Sequence, residues 1–228
     1  MATGTPTSAK AVRLLALPGV YAPQYDTELL GQAMGHECVG PETDVLDLGS
    51  GSGVLALQAA RLGARVTAVD IAWLAVLATR VNSFLARQRL TVRHGDLADS
   101  VTGRSYDLVV SNPPYVPSPS RGLPNRGRSR AWEAGHDGRA LVDRICDAAP
   151  ALLRPSGVLL FVHSALCGVE ATLKRLADAG LSATVAEQAR VPFGPVLRSR
   201  RAWLRGQGLL TEPNDEVEEL VVIRAEHI

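Results

Sequence analysis

Asp44-Val45-Leu46-Asp47-Leu48-Gly49-Ser50-Gly51-Ser52-Gly53 is the stretch that decides the fold of this 228-residue chain. The first half is an apolar run of strand length, the second is a glycine-rich turn, and residues 54–62 continue at helix spacing. Strand, glycine turn and helix in that order form the context a nucleotide-type cofactor loop requires. Gly49, Gly51 and Gly53 let the chain turn sharply, and they let a ligand approach where a Cβ would collide. The spacing is G-x-G-x-G, not the G-x-G-x-x-G of dinucleotide binders, which argues against a pyrophosphate ligand.

Working toward the C-terminus, residues 65–69 read as a second strand that ends at Asp70. A carboxylate at that point, about 20 residues beyond the glycine turn, is placed to accept both hydroxyls of a ribose. A helix over 72–89 follows, with Leu74, Leu77, Ala78, Val81 and Leu85 at helix spacing. The third strand, 90–94, is closed by Gly95-Asp96-Leu97, where Asp96 is placed to hold the exocyclic amine of an adenine and Leu97 to lie against its face. The fourth strand, 106–110, runs into Ser111-Asn112-Pro113-Pro114-Tyr115. A Pro-Pro pair has no backbone N–H to give, so the strand stops there. The Asn112 side-chain oxygen and the Pro113 carbonyl are then two acceptors suited to the two hydrogens of a planar –NH2 group, with Tyr115 packed on its flat face.

Strands that alternate with helices predict an α/β fold: Rossmann-like, doubly wound, with a mostly parallel seven-stranded sheet, helices on both faces and the motif loops along one edge. The length and the 46% hydrophobic content fit one domain over 19–228, preceded by a short, partly flexible arm over 1–18. Within the N-terminal part, 12–17 reads as a short strand. The helix carrying Leu29, Leu30, Ala33 and Met34 is expected to be capped by Asp26 or Thr27. Residues 116–137 form a long connection bearing Arg121, Arg126, Arg128 and Arg130, expected to hang over the acceptor cluster as a lid. Beyond it come a helix to about 153, a strand at 158–163, a helix over 168–179 and strands at 182–187 and 219–224. A basic amphipathic helix over 196–205 precedes the last strand, and Glu212, Asp215, Glu216, Glu218 and Glu219 are expected to neutralise it internally.

Composition excludes several classes. A net charge of +1 argues against a whole-molecule attraction to nucleic acid or anionic membrane. Three cysteines without C-x-x-C spacing fit reduced thiols in a cytoplasmic protein. No stretch reaches the roughly 18 apolar residues of a membrane span. None of the five histidines pairs at metal-ligand spacing, and G-x-S-x-G and P-loop patterns are missing.

These residues together resemble the class I S-adenosylmethionine-dependent methyltransferases, and within them the release-factor glutamine methyltransferases of the HemK/PrmC type. The resemblance rests on 47–53 as the cofactor loop, Asp70, Asp96-Leu97 and Asn112-Pro113-Pro114-Tyr115. Tyr21 with Pro23 and Asp26-Thr27 is similar to the segment ahead of the cofactor loop in the short, eukaryotic and archaeal-like branch. Trp132 with 135–144 is similar to its post-motif helix. The resemblance implies S-adenosyl-L-methionine held by Asp47, Gly49, Gly51, Gly53, Asp70, Asp96, Leu97, Asn112, Tyr21 and Thr27. It also implies catalysis through Asn112, Pro113 and Tyr115 without a metal, and a protein acceptor bearing a target glutamine. The chain departs from the bacterial branch in the short segment before its first helix, where the docking domain used there does not fit, and in the longer, more basic stretch 190–214. Because base amines are planar for the same reason as amides, methylation of adenine N6 or guanine N2 in RNA or DNA stays open. So do a small-molecule acceptor, a non-catalytic cofactor-binding role and the need for an activator subunit.

Overall fold

The computed structural model describes residues 14–15, 17–120, 122–124, 127–210 and 216–227. One sheet carries the strands β1 (Asp44–Leu48), β2 (Arg65–Asp70), β3 (Leu90–His94), β4 (Tyr106–Ser111), β5 (Leu153–Ser164), β6 (Leu181–Pro192) and β7 (Val217–His227). Their order is β3-β2-β1-β4-β5-β7-β6, parallel from β3 to β5, with β7 antiparallel to both β5 and β6. The helices are α1 (Tyr25–Gly35), α2 (Val54–Arg61), α3 (Trp73–Leu85), α4 (Ala140–Leu152), α5 (Val169–Asp178) and α6 (Pro195–Gly206). The α/β architecture expected from the alternation of patterns is the one observed, with element boundaries moved by a few residues.

The core follows from the central strands. Val45, Leu46, Leu48, Val109 and Val110 are fully buried, and β5 is buried without alternation from Val158 to Ser164. A strand buried on both faces needs a helix on each, and α1 and α4 both pack on β5. The β6 edge, by contrast, alternates and stays largely exposed.

Several expectations need correction. Of the strand expected over 12–17, residues 12, 13 and 16 lie outside the described residues, and Leu14, Leu15 and Leu17 belong to no strand; the Leu15 backbone is held instead by the Asn82 side chain, which accepts from its N–H at 2.7 Å and donates to its carbonyl at 3.3 Å. Helix α1 starts at Tyr25 with Gln24 as its N-cap and no side-chain cap, because Asp26 and Thr27 lie inside the helix with their side chains buried and engaged elsewhere. The apolar period of α3 marks a helix, yet Leu74, Leu77 and Leu85 are on its exposed side. Its buried face is made of the small or polar residues Ala75, Ala78, Thr79, Asn82 and Ser83 together with Val76. The reason is close approach: a Cβ on Gly53 would come within 2.8 Å of the Thr79 side chain, and Asn82 donates to the Ser52 carbonyl at 2.9 Å. Large side chains on that face would push the helix off the glycine turn.

The 116–137 connection is no free arm. Val116 donates to the Trp132 carbonyl at 2.7 Å, Ala134 returns a bond to Val116 at 3.1 Å, and Ser118 donates to Gly135 at 2.8 Å. Helix α6 braces it, since Arg200 donates to the Pro117 carbonyl at 2.8 Å and pairs with Glu133. Of the acids expected to neutralise α6, Glu216 pairs with Arg201 at 2.9 Å, but Glu218 is buried with no cation among the described residues acting on it, and Glu212 and Asp215 lie outside the described residues, as do Arg121 and Arg126. Gly138 locks the far end of this connection to the acceptor motif. It has φ +75°, and a Cβ there would stand 2.3 Å from the Tyr115 carbonyl oxygen and 2.9 Å from the Cys167 sulfur. Gly138→Ala is therefore expected to destabilise the protein by about 2 kcal/mol or more, through forbidden backbone geometry together with a backbone clash; a chemical denaturation midpoint equal to the wild type would contradict it.

Candidate active site

The strand order reverses between β1 and β4, so the loops leaving these two neighbours diverge and open a crevice at their carboxyl ends. Leu48 is paired with Ser111, and the Ser111 hydroxyl donates to the Leu48 carbonyl at 2.7 Å. The end of the first strand and the start of the N-P-P-Y segment are thereby fixed to one another. Two cavities meet here, one of about 360 Å³ and one of about 530 Å³, and both are lined by Val20, Tyr21, Asn112, Pro113, Pro114 and Ala131.

The first cavity collects most of the residues assigned to the cofactor. Gly49, Gly51, Asp70, Asp96, Leu97, Tyr21, Thr27 and Asn112 all line it. Gly49 and Gly51 have φ of +75° and +54°, and a Cβ built on either meets nothing within 4 Å, so the turn faces open space that side chains would otherwise fill. Asp70 accepts from the Gly51 N–H at 2.9 Å with one oxygen and from the Ala72 N–H at 2.8 Å with the other. A carboxylate has about four acceptor positions, so roughly two remain, which suits a vicinal diol. Burial raises the Asp70 carboxyl above its usual range, and the Gly51 and Ala72 N–H groups and the nearby Arg130 oppose the shift. Asp96 is paired with Arg144 at 3.0 Å, and both line the cavity. Leu97 is held at φ +44°, a left-handed conformation that a non-glycine residue adopts at a cost of about 1 kcal/mol or more. From the 116–137 connection, Leu123, Pro124, Gly127 and Arg130 close over this cavity, not over the acceptor cluster alone.

Asp47 and Gly53 do not line either cavity. Asp47 is buried beneath the turn, where Oδ2 accepts from the Ala56 N–H at 3.1 Å and holds the first turn of α2. Desolvation pushes its carboxyl up to about 7, against the opposing pull of that N–H. Gly53 is the N-cap of α2 and makes room for Thr79.

The second cavity is bounded by Asn112 to Val116, by Tyr21, Tyr25 and Asp26, by Trp132, and by residues of the β6–α6 junction and β7, including Phe193, Arg198 and Glu218. Asp26 organises this wall, a bonding role that neither its reading as a cap nor its place in the segment ahead of the cofactor loop revealed. Tyr21 donates to its Oδ2 at 2.7 Å and Tyr115 to the same oxygen at 3.0 Å. The Thr27 hydroxyl donates to Oδ1 at 3.1 Å, and the Asn112 side-chain N–H2 donates to that hydroxyl at 3.1 Å. Burial, and then the Asp26 charge, push both tyrosine hydroxyls far above their ordinary range, so they stay protonated donors. Tyr115 is thus a buried residue whose ring is fixed through its hydroxyl while it lines the second cavity.

This polarity dictates which end of Asn112 is available. A carboxylate only accepts, so the Thr27 proton points at Asp26 and the Thr27 oxygen can only accept from Asn112. One N–H of the amide is committed to Thr27, which fixes the orientation of the group and leaves the Asn112 oxygen as its acceptor for a ligand at the wall shared by the two cavities.

A Methyltransferase small domain model matches residues 11–121. Among solved structures, E. cuniculi Mtq2 in its complex with Trm112, described as responsible for methylating the eRF1 translation termination factor, superposes with a TM-score of 0.66 at 23% identity, covering 92% of this chain and 99% of that one. Fold, site and matches define a class I S-adenosylmethionine-dependent methyltransferase. A putative protein N5-glutamine methyltransferase of Methanocaldococcus jannaschii is 30% identical over 81% of this chain and 92% of its own length. HEMK2 of Homo sapiens is 33% identical over 75% and 84% respectively. The chain belongs to this protein N5-glutamine methyltransferase family. It spans only 45% of the Rhodospirillum rubrum release factor glutamine methyltransferase, to which it is 42% identical over 60% of its own length.

Thr27→Val keeps the shape of the side chain and removes the acceptor for Asn112. Turnover is expected to fall about tenfold, the loss of one orienting hydrogen bond of roughly 1.4 kcal/mol, with the melting temperature nearly unchanged. Unaltered turnover in a methyl-transfer assay would refute the orienting chain.

Proposed function

We propose that this enzyme transfers the methyl group of S-adenosylmethionine to the side-chain amide nitrogen of a protein glutamine, in a peptide chain release factor or a similar translation protein in the cytoplasm. The observation that carries the reading is the committed orientation of Asn112 at the wall between the two cavities. Asp70, Asp96, Leu97, Gly49 and Gly51 would hold the cofactor, with Tyr21 and Thr27 at its edge. Bound there, the cofactor supplies an electrophilic methyl on a sulfonium.

An amide nitrogen is a weak nucleophile, because its lone pair is delocalised into the carbonyl. Asn112 and the Pro113 carbonyl accept its two hydrogens, orient the lone pair and stabilise the positive charge that develops on nitrogen. Tyr115 keeps the wall rigid through Asp26. The names of the relatives support glutamine as the target, and the coverage of 92% of the archaeal relative and 84% of the HEMK2 relatives supports the likeness to the short branch. The complex with Trm112 belongs to the solved neighbour; an activator for this chain is a matter for the same assay. The nucleic-acid alternative gains little from α6, where Arg200 and Arg201 are already paired with Glu133 and Glu216.

The test supplies labelled methyl donor with a folded release factor, its glutamine-to-alanine variant, a short peptide around the same glutamine, and a naked oligonucleotide. Label is expected on the folded protein and not on the variant. The peptide is expected to be a much poorer substrate, because remote contacts supply part of the positioning energy. Asn112→Ala should cut turnover by about 100-fold with little change in cofactor affinity, and Asp70→Ala should weaken cofactor binding by roughly 1–3 kcal/mol. Transfer to the oligonucleotide alone, at physiological salt, would overturn the reading.

A further inference from the structure

Two acids line the second cavity, Asp26 and Glu218, and they are used very differently. Both oxygens of Asp26 are occupied by Tyr21, Tyr115 and Thr27. Glu218 lies on β7, two residues before Leu220, which pairs with Ser164 at the end of β5. It is only 8% exposed. Ser164 is its hydrogen-bond partner, while its Oε1 has none among the described residues.

A buried carboxylate oxygen without a donor is expensive, and the protein around it offers no remedy. Tyr21 and Tyr115, whose hydroxyls feel the Glu218 charge, spend their protons on Asp26. Asp26 itself repels it. Arg198 lines the same cavity, yet no cation is among the groups that act on Glu218. Burial and then Asp26 push its carboxyl up to about 7, against the Ser164 hydrogen bond. The unspent capacity therefore belongs to whatever enters beside Asn112.

We propose that Glu218 is a specificity-determining residue of the acceptor site, whose unpartnered carboxylate oxygen, closed to solvent in the unliganded protein, is uncovered as the acceptor segment enters and accepts a hydrogen bond from a main-chain N–H next to the target side chain. The proposal rests on the protein-acceptor reading above. A polypeptide carries an N–H at nearly every residue and can satisfy the group. A phosphodiester presents only anionic acceptors to the same wall and is rejected, so selectivity comes from an unmet demand as much as from a contact. Only the ionised carboxylate accepts fully, so acceptor binding draws the proton off. The KM for the acceptor falls as pH rises through about 7. Asp26, Tyr21, Tyr115 and Cys167 also face this group, and Glu218→Gln leaves all four in place; the part of the pH profile that disappears with Glu218 is its own.

The experiment measures KM and kcat for the folded release factor from about pH 6 to about pH 8.5, for the wild type, Glu218→Gln and Glu218→Asp, with cofactor affinity by calorimetry as a control for a folded site. Glu218→Gln is expected to raise KM about tenfold at the alkaline end, to change kcat less and to flatten the dependence of KM on pH. Glu218→Asp should restore part of both. Should Glu218→Gln fail to bind cofactor, Glu218→Asp carries the decision through its own KM and pH profile. A wild-type KM and a wild-type pH profile in the variants would overturn the role of Glu218 alone. A wild type that methylates no protein would overturn the acceptor assignment and this proposal with it.

Discussion

The proton on the Thr27 hydroxyl has one direction to point, and the chemistry of the site depends on it. Asp26 is surrounded by donors from Tyr21, Tyr115 and Thr27, and a carboxylate so placed accepts from all of them. Thr27 is left as an acceptor toward Asn112, and Asn112 presents oxygen to the space where the two cavities meet. Reversing any link would present an N–H2 group to an incoming N–H2 group. The chain also explains why two tyrosines surround one acid. Buried and next to a negative charge, their hydroxyls are kept from ionising, so the donors remain donors over the whole working range of pH.

The fold brings this chain together from distant parts of the sequence. Asp26 and Thr27 come from α1, which lies ahead of the first strand of the sheet, and Asn112 and Tyr115 come from the end of β4. What aligns them is the reversal of strand order between β1 and β4, with Ser111 bonded across to Leu48. The glycine turn needs the same neighbourhood from the other side. Asp47 holds the start of α2, Gly53 admits Thr79, and Asn82 ties α3 to the turn at the Ser52 carbonyl. The small and polar inner face of α3 is the condition for that approach.

Much of this was legible in the chain. The strands β1 to β4 announce themselves because each is a short apolar run that stops at a glycine turn or just at or before a polar side chain suited to a ligand, namely Asp70, Asp96 or Asn112. The lining of the first cavity was legible for the same reason, since strand ends in a parallel sheet share an edge. Hidden features were those set by packing partners far away. Leu74, Leu77 and Leu85 have the period of a buried face, but periodicity reports that a helix has an apolar side and not which side meets the sheet. Asp26 has the composition of a cap, and only the third dimension brings Tyr115 to it. Glu218 sits in an acidic run expected to neutralise α6, and no local signal separates it from exposed Glu219; it is buried where β7, just past the end of β5, pairs it with Val191 of β6.

Gly138 gives the acceptor motif a dependency that its own residues do not reveal. The Tyr115 carbonyl and the Cys167 sulfur occupy the space where any other residue at 138 would carry a side chain, just ahead of α4. The N-P-P-Y segment and the entry to α4 are thus one mechanical part, although more than twenty positions separate them. For protein engineering, this sets the unit of transplantation. Grafting 111–115 into another scaffold of the same fold would carry the right atoms into the wrong place, unless a glycine at the head of the following helix came with it.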